Sequence, residues 1–353
     1  VLESPRSRIV AGVVAAAVLL GGGALALLAG GDEEAAPATT TTTTTTAPTT
    51  TTTAAPAPVA PLTGLPVDDV RRLARPALFV KIDNAPQARP QAGIVQADIL
   101  FEERVEGNTT RLAAVFHSQE ADPLGPVRST RSTDIDLQRL FGRPVFASSG
   151  ANGGVLSLLA EAGVLDVGHN VSGGGFLRDR GRPAPHNLMT STFLLYEKAG
   201  ADLPPPPAPL FQYRAEGDGL AAGARPAAGV ALSYGGPQIS EFTWNADQAR
   251  WLRTHGGVPH TDPSGTQVAP ANVVVLEIGY DFSGANRQSA PHGVTVGEGR
   301  ALVFTDGHVA EGRWRRTAPD APLELISAVN TPIRLTPGQT FVALPPPGGA
   351  RVL

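Results

Sequence analysis

Apolar residues follow three distinct regimes along the chain, and each predicts a different kind of structure. Between Ile9 and Ala29 no charged residue interrupts the run. A helix rising about 1.5 Å per residue would carry that run across about 30 Å, the thickness of a bilayer's hydrocarbon. From Ala35 to Pro61 the chain is almost entirely Thr, Pro and Ala, a composition that buries too little apolar surface to offset its ordering entropy and so predicts a disordered stalk. Beyond it, apolar segments of strand and helix length alternate. Ala77 to Ile82 reads as a strand, Ala97 to Glu106 and Thr110 to His117 as a hairpin, Asp134 to Phe141 as a helix, Pro144 to Ala147 as a strand and Val155 to Ala162 as a helix. The polyproline run Pro204 to Pro209 reads as a stiff spacer. After it the signals are nearly all strand: Gly229 to Ser233, Glu241 to Trp244, Arg250 to Arg253, Val273 to Ile278, Gly293 to Val296, Ala301 to Thr305, His308 to Trp314 and Thr340 to Ala343, with Asp306-Gly307 as a two-residue hairpin turn.

The predicted fold class is α+β. A membrane anchor (1–31) and a stalk (32–61) precede a mixed α/β N-terminal domain (62–203), a Pro-rich linker (204–209) and a β-rich C-terminal domain (210–353).

Flanking charge sets the expected address. Arg6 and Arg8 precede the apolar run and Asp32, Glu33 and Glu34 follow it, which puts the N-terminus in the cytoplasm and the folded part outside a bacterial membrane as a single-pass protein. Ala24-Leu25-Ala26 offers a signal-peptidase site as the competing reading. Leu28-Ala29-Gly30 resembles the start of a lipobox, but Gly31 stands where the lipid-bearing cysteine would be. The chain has no cysteine, so disulfides and thiolate metal sites are excluded. Lysine occurs only at Lys81 and Lys198 while arginine is abundant, a bias of high-GC bacterial genomes; the net charge of −4 argues against a nucleic-acid partner.

Candidate chemistry concentrates between Lys81 and Arg131. Arg89, Arg111, Arg128 and Arg131, with Asp83, Asn84, Asp98, Glu102, Glu103 and Glu106, fall among Gly, Pro and Asn, where loops and strand ends gather ligand-binding groups. A Gly107-Asn108 turn would set Arg104 opposite Arg111 and Glu102 opposite Ala113, placing Glu102, Arg104, Glu106 and Arg111 on one face. Thr133 and Asp136 resemble a capping box that starts a helix near Asp134, so Arg128 and Arg131 would feed its N-terminus as an anion site; ion pairs to Asp98, Glu102 or Asp134 are the plainer alternative. Ser148 to Gly154 links strand to helix and offers further amides. His186, between Pro185 and Asn187, reads as a structural histidine. Asp83, Asp98 and Glu102 would suit a hard cation by donor type, although their spacing fits no known loop. No nucleophile elbow, HExxH, Rossmann or Ser-x-x-Lys motif occurs.

The segments KIDNAPQARPQAGIVQADILFEERVEGNTTRL, GPVRSTR, FLRD and APHN, then NVVVLEIG, GEGRALVFTDGHVAEGRWRR and TPGQTFVAL, are similar to the YerB-like family of bacterial envelope lipoproteins, a family of unknown function. The resemblance implies an N-terminal and a C-terminal domain outside the membrane and carries no catalytic residues. The order of an Asp-led strand, a hairpin, the arginine loop Arg128 to Arg131 and a following strand and helix also resembles the LytR-CpsA-Psr phosphotransferases. The leading expectation is a module that binds an anionic cell-wall or lipid-linked glycan. The alternative is a phosphotransferase acting on a polyprenyl-pyrophosphate-linked glycopolymer. There Arg111, Arg128 and Arg131 hold the pyrophosphate, and Asp98 or Asp83 places Mg²⁺ or acts as base.

Overall fold

The computed structural model describes residues 57–172, 174–283 and 290–353. The apolar run and all but the last residues of the stalk lie outside them. No helix among the described residues is long and apolar enough to cross a membrane. Residues 57–61, expected to belong to the stalk, are part of the folded body: Ala60 is fully buried and its amide donates to Leu65 O at 2.8 Å.

The N-terminal block contributes β1 (Leu78–Asp83), β2 (Ile99–Arg104), β3 (Thr110–Phe116), α1 (Ser132–Gln138), β4 (Val145–Ala147), α2 (Gly153–Glu161), β5 (Leu165–Asp166) and α3 (Thr192–Ala199). The C-terminal block contributes β6 (Gly229–Ser233), β7 (Ile239–Asn245), β8 (Arg250–His255), β9 (Asn272–Leu276), β10 (Gly297–Thr305), β11 (His308–Arg316), β12 (Glu324–Ser327), β13 (Thr340–Leu344) and β14 (Ala350–Val352). The fold is largely β with few helices.

Rather than standing apart across a spacer, the two blocks share one sheet, in the order β12-β11-β10-β9-β13-β2-β3-β1-β4-β5. The joint is a parallel pairing of β13 with β2, Thr340 beside Ile99 through Leu344 beside Glu103. The proline run lies against the body: Pro204, Pro207 and Leu210 are buried, a spacing of three that matches the turn of a polyproline helix.

Every residue of β1, β9 and β13 is buried, because both faces of the central sheet are covered. One face carries Phe79, Phe101, Val115, Val274 and Val342 against Ile135 and Leu137 of α1 and Leu159 of α2. The other carries Val80, Leu112, Ala114, Phe304 and Phe341 against a smaller sheet of β8, β7, β6 and β14. At the crossing of β6 with β7, a methyl group on Gly229 would enter the space of the Phe242 carbonyl oxygen. Gly229→Ala should therefore cost about 1–3 kcal/mol, read as a lower urea midpoint.

Two local expectations are corrected. The β2–β3 connection is longer than a two-residue turn: Val105 N donates to Thr109 O at 2.8 Å, and Gly107 and Asn108 both take positive φ (67° and 54°). Glu103 therefore faces Arg111, and Arg104 faces Thr110. A slip of one residue exchanges the faces of a strand, so Glu102 and Arg111 lie on opposite sides of the sheet. The helix expected near Asp134 begins at Ser132. Asp134, not Thr133, closes its start by accepting from Arg131 N at 2.7 Å.

Candidate functional site

Most of the predicted residues meet at the carboxyl ends of β1 and β4, which run parallel from Leu78 beside Val145 to Val80 beside Ala147. Loops leaving the carboxyl ends of such strands form the crevice where ligands bind in open α/β sheets. Segment 127–131 crosses the end of β1, with Arg128 N donating to Lys81 O at 2.9 Å. The loop after β4 lies against it: Ser149 N donates to Arg128 O at 3.0 Å and Thr130 N to Gly150 O at 2.9 Å, and the Ser129 and Ser149 hydroxyls are 3.2 Å apart. A hairpin of Leu177–Arg178 with Leu188–Met189 docks alongside, Val127 N donating to Leu188 O at 2.6 Å.

Asp83 ends β1 and joins these parts. Its Oδ2 bonds His186 Nδ1 at 2.7 Å and lies 3.2 Å from Arg128 Nε, an approach too oblique for a hydrogen bond. Its Oδ1 accepts from Ala85 N at 3.1 Å. Among the described residues, His186 Nε2 and the Nη1 and Nη2 atoms of Arg128 have no hydrogen-bond partner, and the two side chains are 18% and 23% exposed.

Arg111 and Arg131 stand beside this opening but are engaged. Arg111 donates to Ser129 O at 2.8 Å and lies 3.5 Å from Glu106. Arg131 binds Glu106 through Nε at 2.8 Å and through Nη2, and donates to Thr130 O at 2.8 Å. Burial opposes ionisation of Glu106, but the Arg131 hydrogen bonds and the Arg111 charge outweigh it and hold the carboxyl down to about 2. Burial, aided by Arg131, pulls Arg111 down to about 10, so it stays cationic at neutral pH. Arg131→Ala removes the hydrogen bonds to Glu106 and to Thr130 O while Arg111 stays 3.5 Å from Glu106, and should cost about 1 kcal/mol, whereas Arg128→Ala should leave the thermal midpoint nearly unchanged; differential scanning calorimetry separates the two.

Beneath the loop lies a wholly buried trio. Lys81 Nζ bonds Glu103 and, at 2.8 Å, Asp134, and Asp134 Oδ2 also accepts from Thr130 Oγ1 at 3.0 Å. Desolvation first, then the Asp134 charge, pushes Glu103 up to about 7 against the pull of Lys81.

The structure does not bring the remaining predicted residues to this cluster. Asn84, Arg89 and Glu102 belong to a polar cluster between the two sheets. There Glu102 Oε1 lies 2.8 Å from Arg253 Nη2, both side chains fully buried, and accepts from Asn84, Thr110 and Ser240 at 3.2, 2.8 and 3.2 Å. Arg89 donates to Asn84 O at 2.9 Å and Gln238 Oε1 at 3.0 Å, beside a cavity of about 140 Å³ lined also by Tyr234 and His255. Burial depresses His255 to about 4, so it is neutral here. Asp98 sits at the opposite end of β2, about 17 Å along the strand from Glu103 at about 3.3 Å per residue. Its carboxylate is consumed by the amides of His117 and Ser118 and the Ser118 hydroxyl. A cation held jointly by Asp83, Asp98 and Glu102 is not supported, since the three diverge to separate places; no cluster of three potential metal-binding residues occurs among the described residues.

Residues 62–203 match the N-terminal domain, and residues 230–342 the C-terminal domain, of the family described as protein of unknown function DUF3048. The chain is 31% identical over 269 residues to the protein of Bacillus subtilis (strain 168) named "Putative lipoprotein YerB", covering 73% of this chain and 78% of that one. The chain belongs to this family. Its fold agrees with the crystal structure of YerB from Bacillus subtilis at a TM-score of 0.74 and 26% identity, over 84% of this chain and 99% of that one. The whole cluster, from Asp83 to His186, lies within the DUF3048 N-terminal domain. Two residues in and beneath it, Lys81 and His186, are not among the site residues expected from the sequence. Lys81 was visible as a lysine inside an apolar strand, and His186 as the histidine of APHN; nothing local ties either to its partner.

Proposed function

We propose that this DUF3048 protein is an extracytoplasmic envelope protein, held at the membrane by its N-terminal apolar run, that binds an anionic cell-wall or lipid-linked glycan in the crevice at the end of β1. The observation that carries this reading is the guanidinium edge of Arg128, for which no hydrogen-bond partner occurs among the described residues. With the buried trio beneath the loop included, these segments carry seven cations (Lys81 and arginines 111, 128, 131, 178, 180 and 182) and five acids (Asp83, Glu103, Glu106, Asp134 and Asp179), on a chain whose net charge is −4. A local cation excess of this kind concentrates polyanions and offers paired N–H donors to phosphate or carboxylate. Arg178 and Arg180 are exposed on the hairpin beside His186 and extend the basic surface. Arg111 and Arg131 shape the loop and supply charge, while Arg128 supplies the direct contact. The relative's name as a lipoprotein supports the membrane association.

The phosphotransferase alternative in its Mg²⁺ form gains no support from the geometry. Asp98 is far from the arginines, and Asp83 is occupied by His186 and Arg128.

Binding of poly(glycerol phosphate) measured by titration calorimetry tests the reading. Arg128→Ala should weaken it about tenfold, the value of about 1.4 kcal/mol for one charge-assisted contact, and raising salt should weaken binding further. Equal affinity of the variant and the wild type would contradict it.

A further inference from the structure

Binding alone leaves one arrangement unused: a partly exposed histidine whose ring is fixed by a buried carboxylate while its other nitrogen has no partner among the described residues. We propose that Asp83 and His186 form a general-base dyad that hydrolyses a phosphodiester of the bound polymer, an activity that rests on the anion-binding reading above.

Asp83 is nearly buried and is pinned by Ala85 N, so it accepts the proton of His186 Nδ1 at 2.7 Å from a fixed position. That bond selects the tautomer protonated on Nδ1 and leaves the Nε2 lone pair facing outward, the form a base needs. The loop bearing His186 is held as firmly. Arg182 donates to Ala88 O and Pro90 O, each at 2.7 Å; Asn187 donates to Asp179 O at 3.1 Å and accepts from Arg178 at 2.8 Å. A histidine serving only to tie down this loop would be redundant with those bonds. Arg128 approaches the same Asp83 oxygen, so its guanidinium and the imidazole converge on one carboxylate, and its charge can stabilise that growing on the phosphoryl oxygens. In the step, Nε2 takes a proton from water as the water oxygen bonds to phosphorus. The bond from phosphorus to the departing polyol oxygen breaks, its electron pair leaving with that oxygen, which takes a proton from solvent. The imidazolium returns its proton to solvent. The products are a phosphomonoester and an alcohol.

The full chain incubated with poly(glycerol phosphate), followed by ³¹P NMR, should release phosphomonoester ends. His186→Gln should bind the polymer within about twofold of wild type yet release ends at least about 100-fold more slowly, the scale of a lost general base. Long-range ¹H–¹⁵N spectra of the wild type should show His186 protonated at Nδ1, a readout independent of turnover and of how any variant folds. Polymer bound without release by the wild type, undiminished release by the Gln variant, or protonation at Nε2 in the neutral ring would each overturn the dyad and leave the binding reading standing. Failure of the wild type to bind the polymer would remove the binding reading and the dyad with it.

Discussion

Replacing Lys81 with methionine should lower the stability of the fold by about 3–5 kcal/mol at neutral pH, the cost of stranding buried charge. Methionine matches the aliphatic stem of lysine, so the loss isolates the ammonium. Without it Glu103 and Asp134, both fully buried, face each other with no cation between them. The pH dependence follows from Glu103, whose folded value is up at about 7 against an ordinary 4.5. Between those values the folded state keeps a proton that the unfolded chain releases, so stability falls as pH rises through that window. In Lys81→Met the fall should be steeper, because the pull of Lys81 toward ionisation is gone. Urea midpoints at pH 5 and pH 8 measure both effects. A variant equally stable at both values, or within about 1 kcal/mol of wild type at pH 8, would show that the trio does not hold the arginine loop in place.

The second large effect is expected at Arg253, which joins β8 of the smaller sheet to Glu102 on β2 across the interior. Its Nη2 lies 2.8 Å from Glu102 Oε1 and donates to Ser240 Oγ at 3.0 Å, its Nη1 bonds His260 Nδ1, and its guanidinium lies 4.9 Å from the Phe341 ring centroid. Arg253→Met leaves Glu102 buried with neutral donors only and should cost about 3–5 kcal/mol. Glu102→Gln in the same chain should restore most of that loss, since the buried charge is then removed from both sides. A double-mutant cycle by chemical denaturation gives the coupling directly. Additive losses would mean that the two side chains act independently.

Much of the fold was legible because the relevant signals are local. β6 was expected at its observed bounds, Gly229–Ser233. The turn between β10 and β11 falls at Asp306-Gly307, where both residues take the positive φ (48° and 70°) that such a turn requires. The β2–β3 hairpin failed for an equally local reason: Gly107-Asn108 suggests a two-residue turn, but the observed turn runs Glu106–Asn108, and the resulting slip exchanged the faces assigned to Glu102 and Arg111. Sharing of one sheet by the two blocks was not legible, because β13 and β2 are far apart in sequence and no periodicity records which strands pair. The crevice follows the same division. Asp83 and Arg128 stood out as charges at strand ends and turns. The Lys81 contacts to Glu103 and Asp134 span 22 and 53 residues, and the His186 contact to Asp83 spans 103, so only the folded chain shows them.

The two arginine-bearing polar regions lie on opposite faces of the sheet, and ligand binding is proposed for the one around Arg128. Arginine side-chain ¹H–¹⁵N spectra recorded while poly(glycerol phosphate) is added test that assignment most directly. The Arg128 signals should shift and saturate, while those of Arg253, sealed between the sheets, stay in place. Shifts at Arg89 with none at Arg128 would place the ligand on the other face, and an unmoved Arg128 at saturating polymer would contradict the account.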